Sequence, residues 1–218
     1  MESLFESFRE LLKNTKSQFL RYSYHQINWD ARMIGITGPR GVGKTTMILQ
    51  FIKKNRKVQD TLYVTAEDFY FADNRLTDLA KTFVKLGGKY LFVDEIHKYK
   101  NWSKELKLIY DYHPELKVVF TGSSVLDIKK GASDLSRRAT MYHMQGLSFR
   151  EYLQLFHNIE LRVYTLKEIL EHQVEVPKLE LPLRHFNEYL KKGYYPFALE
   201  EDYNIRLRQI IDQTLESD

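Results

Sequence analysis

The sequence predicts an α/β fold: a five-stranded, mostly parallel sheet flanked by helices, followed by a small C-terminal helical lid. Three observations carry that prediction. Short apolar runs alternate with helix-spaced segments through residues 32–146, the pattern of parallel βαβ units. One of those runs ends in a glycine-rich loop that opens directly into a helical pattern. After Gly146 the strand signal stops, and the remaining segments are spaced as helices.

Residues 4–20 set Leu4, Phe5, Phe8, Leu11, Leu12, Phe19 and Leu20 largely on one stripe, an amphipathic helix. The polar and aromatic stretch RYSYHQINWD reads as a loop and completes an N-terminal extension, residues 1–31. The core domain, residues 32–146, begins with the apolar strand Met33–Thr37, which meets a turn at Gly38 and Pro39. TTMILQFIKKN then has helical spacing. Thr61–Thr65 is a strand, and Arg75–Leu86 is a helix stopped by Gly87 and Gly88. Tyr90–Val93 is a strand, Trp102–Tyr112 a helix, Val118–Thr121 a strand and Met141–Met144 a weaker one. In the lid, residues 147–218, four helices are predicted: Phe149–Phe156, Tyr164–His172, Leu183–Lys192 and Ile205–Leu215. Pro177 and Pro182 forbid a continuous helix between the second and third.

With 218 residues, 43% hydrophobic and 28% charged, the chain can bury a substantial core, and disordered or fibrous classes are excluded. It has no cysteine, so disulfides and Cys-ligated zinc are impossible. Its seven histidines have neither H-x₃-H nor H-E-x-x-H spacing, which argues against a zinc site. No apolar run approaches the roughly 20 residues of a membrane span, and the N-terminus lacks a signal peptide's unbroken apolar stretch. A cytoplasmic location is expected. The net charge of +4 is uneven: +6 over residues 1–60, balanced over 61–120 and −2 beyond. The basic third can meet an anion such as DNA. However, Lys53, Lys54, Arg56 and Lys57 fall where a helix should end, and cations complement the dipole there without any ligand.

The strongest motif is Gly38-Pro39-Arg40-Gly41-Val42-Gly43-Lys44-Thr45, a full G-x-x-x-x-G-K-[ST], followed by Thr46. Such a loop turns backbone N–H groups toward β- and γ-phosphates, and the helix beginning at Lys44 adds its positive dipole end. Lys44 reaches the phosphate oxygens, and the Thr45 hydroxyl is a Mg²⁺ ligand. Tyr90-Leu91-Phe92-Val93-Asp94-Glu95 is an apolar strand ending in two acids. On the strand neighbouring the first, Asp94 would hold the Mg²⁺ shell and Glu95 would polarise the attacking water. No Asn/Thr-Lys-x-Asp guanine reader occurs, which favours ATP over GTP. Val118–Thr121 runs into Gly122-Ser123-Ser124, where a hydroxyl either contacts the γ-phosphate or simply ends a turn. Arg137 and Arg138 are either a surface feature or a source of transition-state charge neutralisation for a neighbouring subunit.

Taken in order, GPRGVGKTT, LYVTAED, YLFVDEIHKYKNW, VVFTGSSVLDI and LSRRATMYHMQGLSFREYL resemble a bacterial and archaeal AAA+-type ATPase family, close to the signal-transduction branch of P-loop NTPases. The resemblance covers roughly residues 15–200. It implies a sensor role for Ser123 and aligns Arg138 with the family arginine, with Arg137 standing in place of a glycine. It also aligns Gly193-Tyr194-Tyr195-Pro196 with a Gly-Gly-x-Pro stretch near the nucleotide base. An arginine acting in trans implies a homo-oligomer. The family's usual C-terminal winged-helix or nuclease-like domain implies a protein partner that this sequence does not identify. Three functions follow: Mg²⁺-dependent ATP hydrolysis, a slow nucleotide-dependent switch or scaffold, and a DNA-associated ATPase.

Overall fold

The computed structural model describes residues 1–123, 135–175 and 182–217. Ser124 and Pro177, singled out above, lie outside them. Five strands, β1 (Met33–Thr37), β2 (Thr61–Thr65), β3 (Tyr90–Asp94), β4 (Lys117–Gly122) and β5 (Thr140–His143), form one all-parallel sheet in the order β2-β3-β4-β1-β5. The predicted strands are all present, shifted by at most a residue or so. β4 lies between β1 and β3, so the acidic strand is not β1's neighbour as the sequence reading assumed.

Side chains alternate across the sheet with the period of two that strands impose. Met33, Leu62, Val64, Leu91, Val93, Val118 and Phe120 face one layer, where α5 (Leu76–Lys85) and α6 (Trp102–Tyr112) supply Leu79, Phe83, Leu106 and Ile109. Ile34, Ile36, Tyr63, Phe92 and Val119 face the other, against Met47, Ile48, Phe51 and Ile52 of α3 (Lys44–Asn55). Helix α1 (Glu2–Asn14) packs on β2 and α3, and buries Leu4 in the first layer and Phe8 and Leu12 in the second.

Helix α1 stops at Asn14, short of the predicted residue 20. The Gln50 side-chain amide donates to the carbonyls of Lys16 and Phe19, 2.9 Å each. That contact fixes the following stretch in a non-helical path against α3. The predicted loop 21–30 contains a short helix, α2 (Tyr22–Gln26). Another, α4 (Tyr70–Asp73), was not predicted.

Beyond residue 146 the described elements are helices α7 (Phe149–His157), α8 (Leu166–Leu170), α9 (Pro182–Lys192) and α10 (Tyr203–Ser217), with a 3₁₀ turn over Pro196–Leu199. Ser148 and Glu151 form a capping box that starts α7, and Thr165 and Glu168 form one that starts α8. The latter is five residues long, against nine predicted, and His172 soon after adopts a left-handed φ of 56°. Among the described residues, no helix is long and apolar enough to cross a membrane.

Candidate functional site

All five strands point their carboxyl ends the same way, so the loops that follow β1, β3 and β4 gather at one end of the sheet. Residues 38–43 leave β1 and wrap into the N-terminus of α3. Gly41 and Gly43 have φ of +83° and +98°, a region that a side chain disfavours. This allows the loop to turn tightly before Lys44 begins the helix. Lys44 is buried, and its ammonium donates to the carbonyls of Gly38 (2.8 Å) and Pro39 (3.0 Å). Burial lowers its pKa from the ordinary lysine value. Glu95 and Asp94 pull it back up, and Arg40 pushes it down.

Asp94, at the end of β3, is the polar centre of this region. It is 4% exposed, and three hydroxyls donate to its carboxylate. Thr45 reaches Oδ2 at 2.5 Å, Tyr63 reaches the same oxygen at 2.8 Å, and Thr121 reaches Oδ1. Burial and the adjacent Asp94 carboxylate push the Tyr63 phenol far above its ordinary pKa, so it stays a proton donor. Thr121 also accepts the Glu95 N–H at 3.0 Å, which ties the two acids to the end of β4.

Glu95 adopts a left-handed φ of 49°, uncommon for a residue with a long side chain. This turn swings its carboxylate away from Asp94's partners and toward Ser123. Ser123 Oγ donates to Glu95 Oε2 at 2.9 Å. His97 lies beside both, with Nδ1 3.4 Å from Glu95 Oε2 and Nε2 3.4 Å from Ser123 Oγ.

The fold therefore brings Gly38 through Thr46 together with Asp94, Glu95 and Ser123. Sequence reading missed Tyr63 and Thr121. Thr121 and Tyr63 sit in apolar strand patterns, and only the strand order reveals that they flank an acid. Glu67 and Asp68 make their contacts within the turn after β2: Asp68 Oδ1 accepts the Tyr70 N–H, and the Glu67 N–H donates to Thr65 Oγ1.

Arg138 lies elsewhere. It precedes β5, whose Thr140 pairs with Ile34 near the start of β1, so it sits toward the amino end of the sheet. Its guanidinium forms a two-pronged pair with Asp111, at 2.9 and 3.0 Å. Within one chain it does not join Lys44 and Asp94.

A buried arginine, also missed, joins the phosphate-loop region to the lid. Arg21 is 5% exposed and donates to Glu151 Oε1 (2.8 Å), the Val42 carbonyl (2.5 Å) and the carbonyls of Gln145 (2.8 Å) and Gly146 (2.9 Å). Burial pushes the Glu151 carboxyl up. Arg21 and the N–H groups of Ser148 and Tyr22 outweigh that and hold it below its ordinary value. The segment beyond residue 146 also covers the loop directly. A Cβ on Gly41 would come within 2.9 Å of Phe197 and 3.2 Å of Ile210, and the Arg40 guanidinium donates to the Gln213 side chain.

Beside Gly43 and Thr46 is a cavity of about 240 Å³ walled by Phe19, Val42, Met47, Leu155 and Pro196. Pro196 thus lines it, while the Gly193 N–H closes the end of α9 by donating to Tyr189 O. Trp29 stacks on Phe51 at 3.9 Å, and Tyr24 packs against both, so these aromatics serve the core. Of the basic cluster, Lys53 caps carbonyls of Lys13 and Thr15, and Arg56 lies over the rings of Phe51 and Tyr90.

The AAA domain family matches residues 30–153, more than half of the chain. An uncharacterized protein of Methanocaldococcus jannaschii is 30% identical over 187 residues, 78% of this chain and 39% of that protein's length. The chain thus spans well under half of this relative. S. cerevisiae Hsp104 in complex with casein is similar in fold, with a TM-score of 0.55 and 16% identity over 97% of this chain and 41% of that one. C. elegans PCH-2 gives a TM-score of 0.48 and 14% identity over 89% of this chain and 58% of its own. The sheet order, the loop after β1, the acids after β3 and the match over the core all agree, and the chain belongs to the AAA domain family of AAA+ P-loop ATPases.

Proposed function

We propose that this protein binds ATP with Mg²⁺ and hydrolyses it, using the cycle to move the helical lid relative to the core. The observation that carries this reading is the pairing of Thr45 with Asp94 at 2.5 Å beside the loop of Gly41 and Gly43. A threonine hydroxyl and a carboxylate are the hard-oxygen donors that Mg²⁺ prefers. The buried Lys44 ammonium and the first N–H groups of α3 supply the positive charge a triphosphate needs. The residues present therefore fit the pair. The bound metal would neutralise phosphate charge as it develops.

The chain's own groups divide the remaining work. Lys44 exchanges its carbonyl partners for phosphate oxygens. Glu95 Oε2 accepts a proton from water, and the Ser123 hydroxyl, 2.9 Å away, fixes that carboxylate's orientation. His97 walls the same carboxylate and limits solvent access. The apolar cavity beside Thr46 is suited to the flat face of the base, with Pro196 of the lid as one wall. Arg138 is free of its own chain's site and is the group available to a neighbour's, which makes a homo-oligomer part of the proposal.

Steady-state phosphate release tests this directly. Glu95→Gln is expected to lower turnover by about 10² to 10⁴-fold while ATP binding is retained. A second reading, a slow nucleotide switch, is supported by the contacts of α10 and the 3₁₀ turn with the phosphate loop. Equal background release from wild type and Glu95→Gln, with binding intact in both, would favour the switch and end the hydrolase reading.

A further inference from the structure

We propose that the helical lid carries a divalent transition-metal site formed by His157, His185 and Glu188. The sequence separates these residues, and only the packing of α7 against α9 joins them. His157 ends α7, while His185 and Glu188 stand three apart on one side of α9. One donor atom from each of the three lies within 4.8 Å of the others. The two imidazole rings are 4.4 Å apart at 67°.

A tetrahedral zinc ion with bonds near 2.0–2.1 Å holds its ligands roughly 3.4 Å apart, a difference that side-chain rotation can close. Present partners compete weakly. Tyr152 Oη is 3.3 Å from His157 Nε2, and Arg184 reaches one Glu188 oxygen at 3.2 Å in an exposed pair. His185 Nδ1 is buried and has no hydrogen-bond partner among the described residues. A buried ring nitrogen in that state lacks the compensation that such groups normally find.

Two imidazoles and a carboxylate select zinc and its neighbours in the first transition row over Mg²⁺ or Ca²⁺. Burial lowers the His157 pKa, the adjacent His185 lowers it further and Glu188 opposes them. The shift favours the neutral, metal-binding form of His157. His157 and Glu188 open onto a cavity of about 500 Å³ that Glu200 and Glu201 line along with Lys191 and Lys192, which leaves room for a water ligand. An ion held there would lock α7, and with it Glu151, to α9.

The test is a zinc titration of the full chain in the absence of nucleotide, by calorimetry and by competition with a chromophoric chelator. One equivalent is expected to bind saturably, and Co²⁺ is expected to give visible ligand-field absorption. His157→Ala/His185→Ala should weaken binding about 100-fold or more, with the far-UV circular dichroism preserved. The gentler His185→Asn and Glu188→Gln changes should each weaken it, and His25→Ala at an exposed position should not. Three results overturn the site. They are a wild type that binds no zinc saturably, folded His185→Asn and Glu188→Gln variants that bind as wild type does, and displacement of the ion by millimolar Mg²⁺, which would assign it to the Thr45 and Asp94 oxygens.

Discussion

The two ends of the sheet use charge in opposite ways. At the carboxyl end, Lys44, Asp94, Thr121 and Arg21 are buried, and each is held by short polar contacts. At the amino end, Arg138 pairs with Asp111 and Lys117 with Asp30 at the surface. Surface pairs of this kind contribute little to stability, and apolar alternation on the same five strands serves both ends equally. Buried polar groups cost free energy unless they are satisfied. Their concentration at one end therefore marks the candidate site, not where the fold gains its stability.

The largest expected effect comes from removing the arginine that binds that end to the lid. Arg21→Ala strands the buried Glu151 carboxylate and three carbonyls. It should cost about 3–5 kcal/mol, measured by urea unfolding. A loss near zero would erase the distinction between the two ends. The same pair sets an acid limit. Glu151's folded pKa is depressed, so its contribution is present above the unfolded value near 4.5 and disappears as pH falls below it. The stability gap between wild type and Glu151→Gln should be full at pH 7 and shrink below about pH 4.5.

Lys44→Ala comes next. It should weaken Mg-ATP binding about 10²-fold by calorimetry with little loss of thermal stability, because the buried ammonium is held at a desolvation cost. Unchanged affinity would mean that the buried charge serves folding alone. The smallest effect belongs to the amino end. Arg138→Ala should leave the melting temperature unchanged within error. The same variant sharpens the comparison if turnover falls only at concentrations where the protein assembles, since the arginine then works on a neighbour.

Local pattern made the strands legible because each is a short apolar run closed by glycine or by acids, and the phosphate loop because its glycines and lysine are contiguous. Asp94 and Glu95 were readable as the end of Tyr90–Asp94. The surroundings of these residues were not. Tyr63 and Thr121 reach Asp94 only because β2 and β4 flank β3. Arg21 stands in a polar stretch with no periodicity, and its partners lie up to 130 residues away. The end of α1 was misjudged for a similar reason: Phe19 and Leu20 extend the apolar stripe, but a side chain of α3 holds the backbone there. Local spacing specifies elements, and contacts between distant segments decide which polar groups meet.

The central claim is that the amides of residues 41–45 and the Asp94 carboxylate enclose one magnesium triphosphate. A crystal structure with Mg²⁺ and a non-hydrolysable ATP analogue tests it most directly. β- and γ-phosphates are expected on those amides, with Lys44 Nζ turned from Gly38 and Pro39 to the phosphates and the ion beside Thr45 Oγ1 on the side of Asp94. An analogue bound elsewhere, or bound with Lys44 still on its carbonyls, would contradict it.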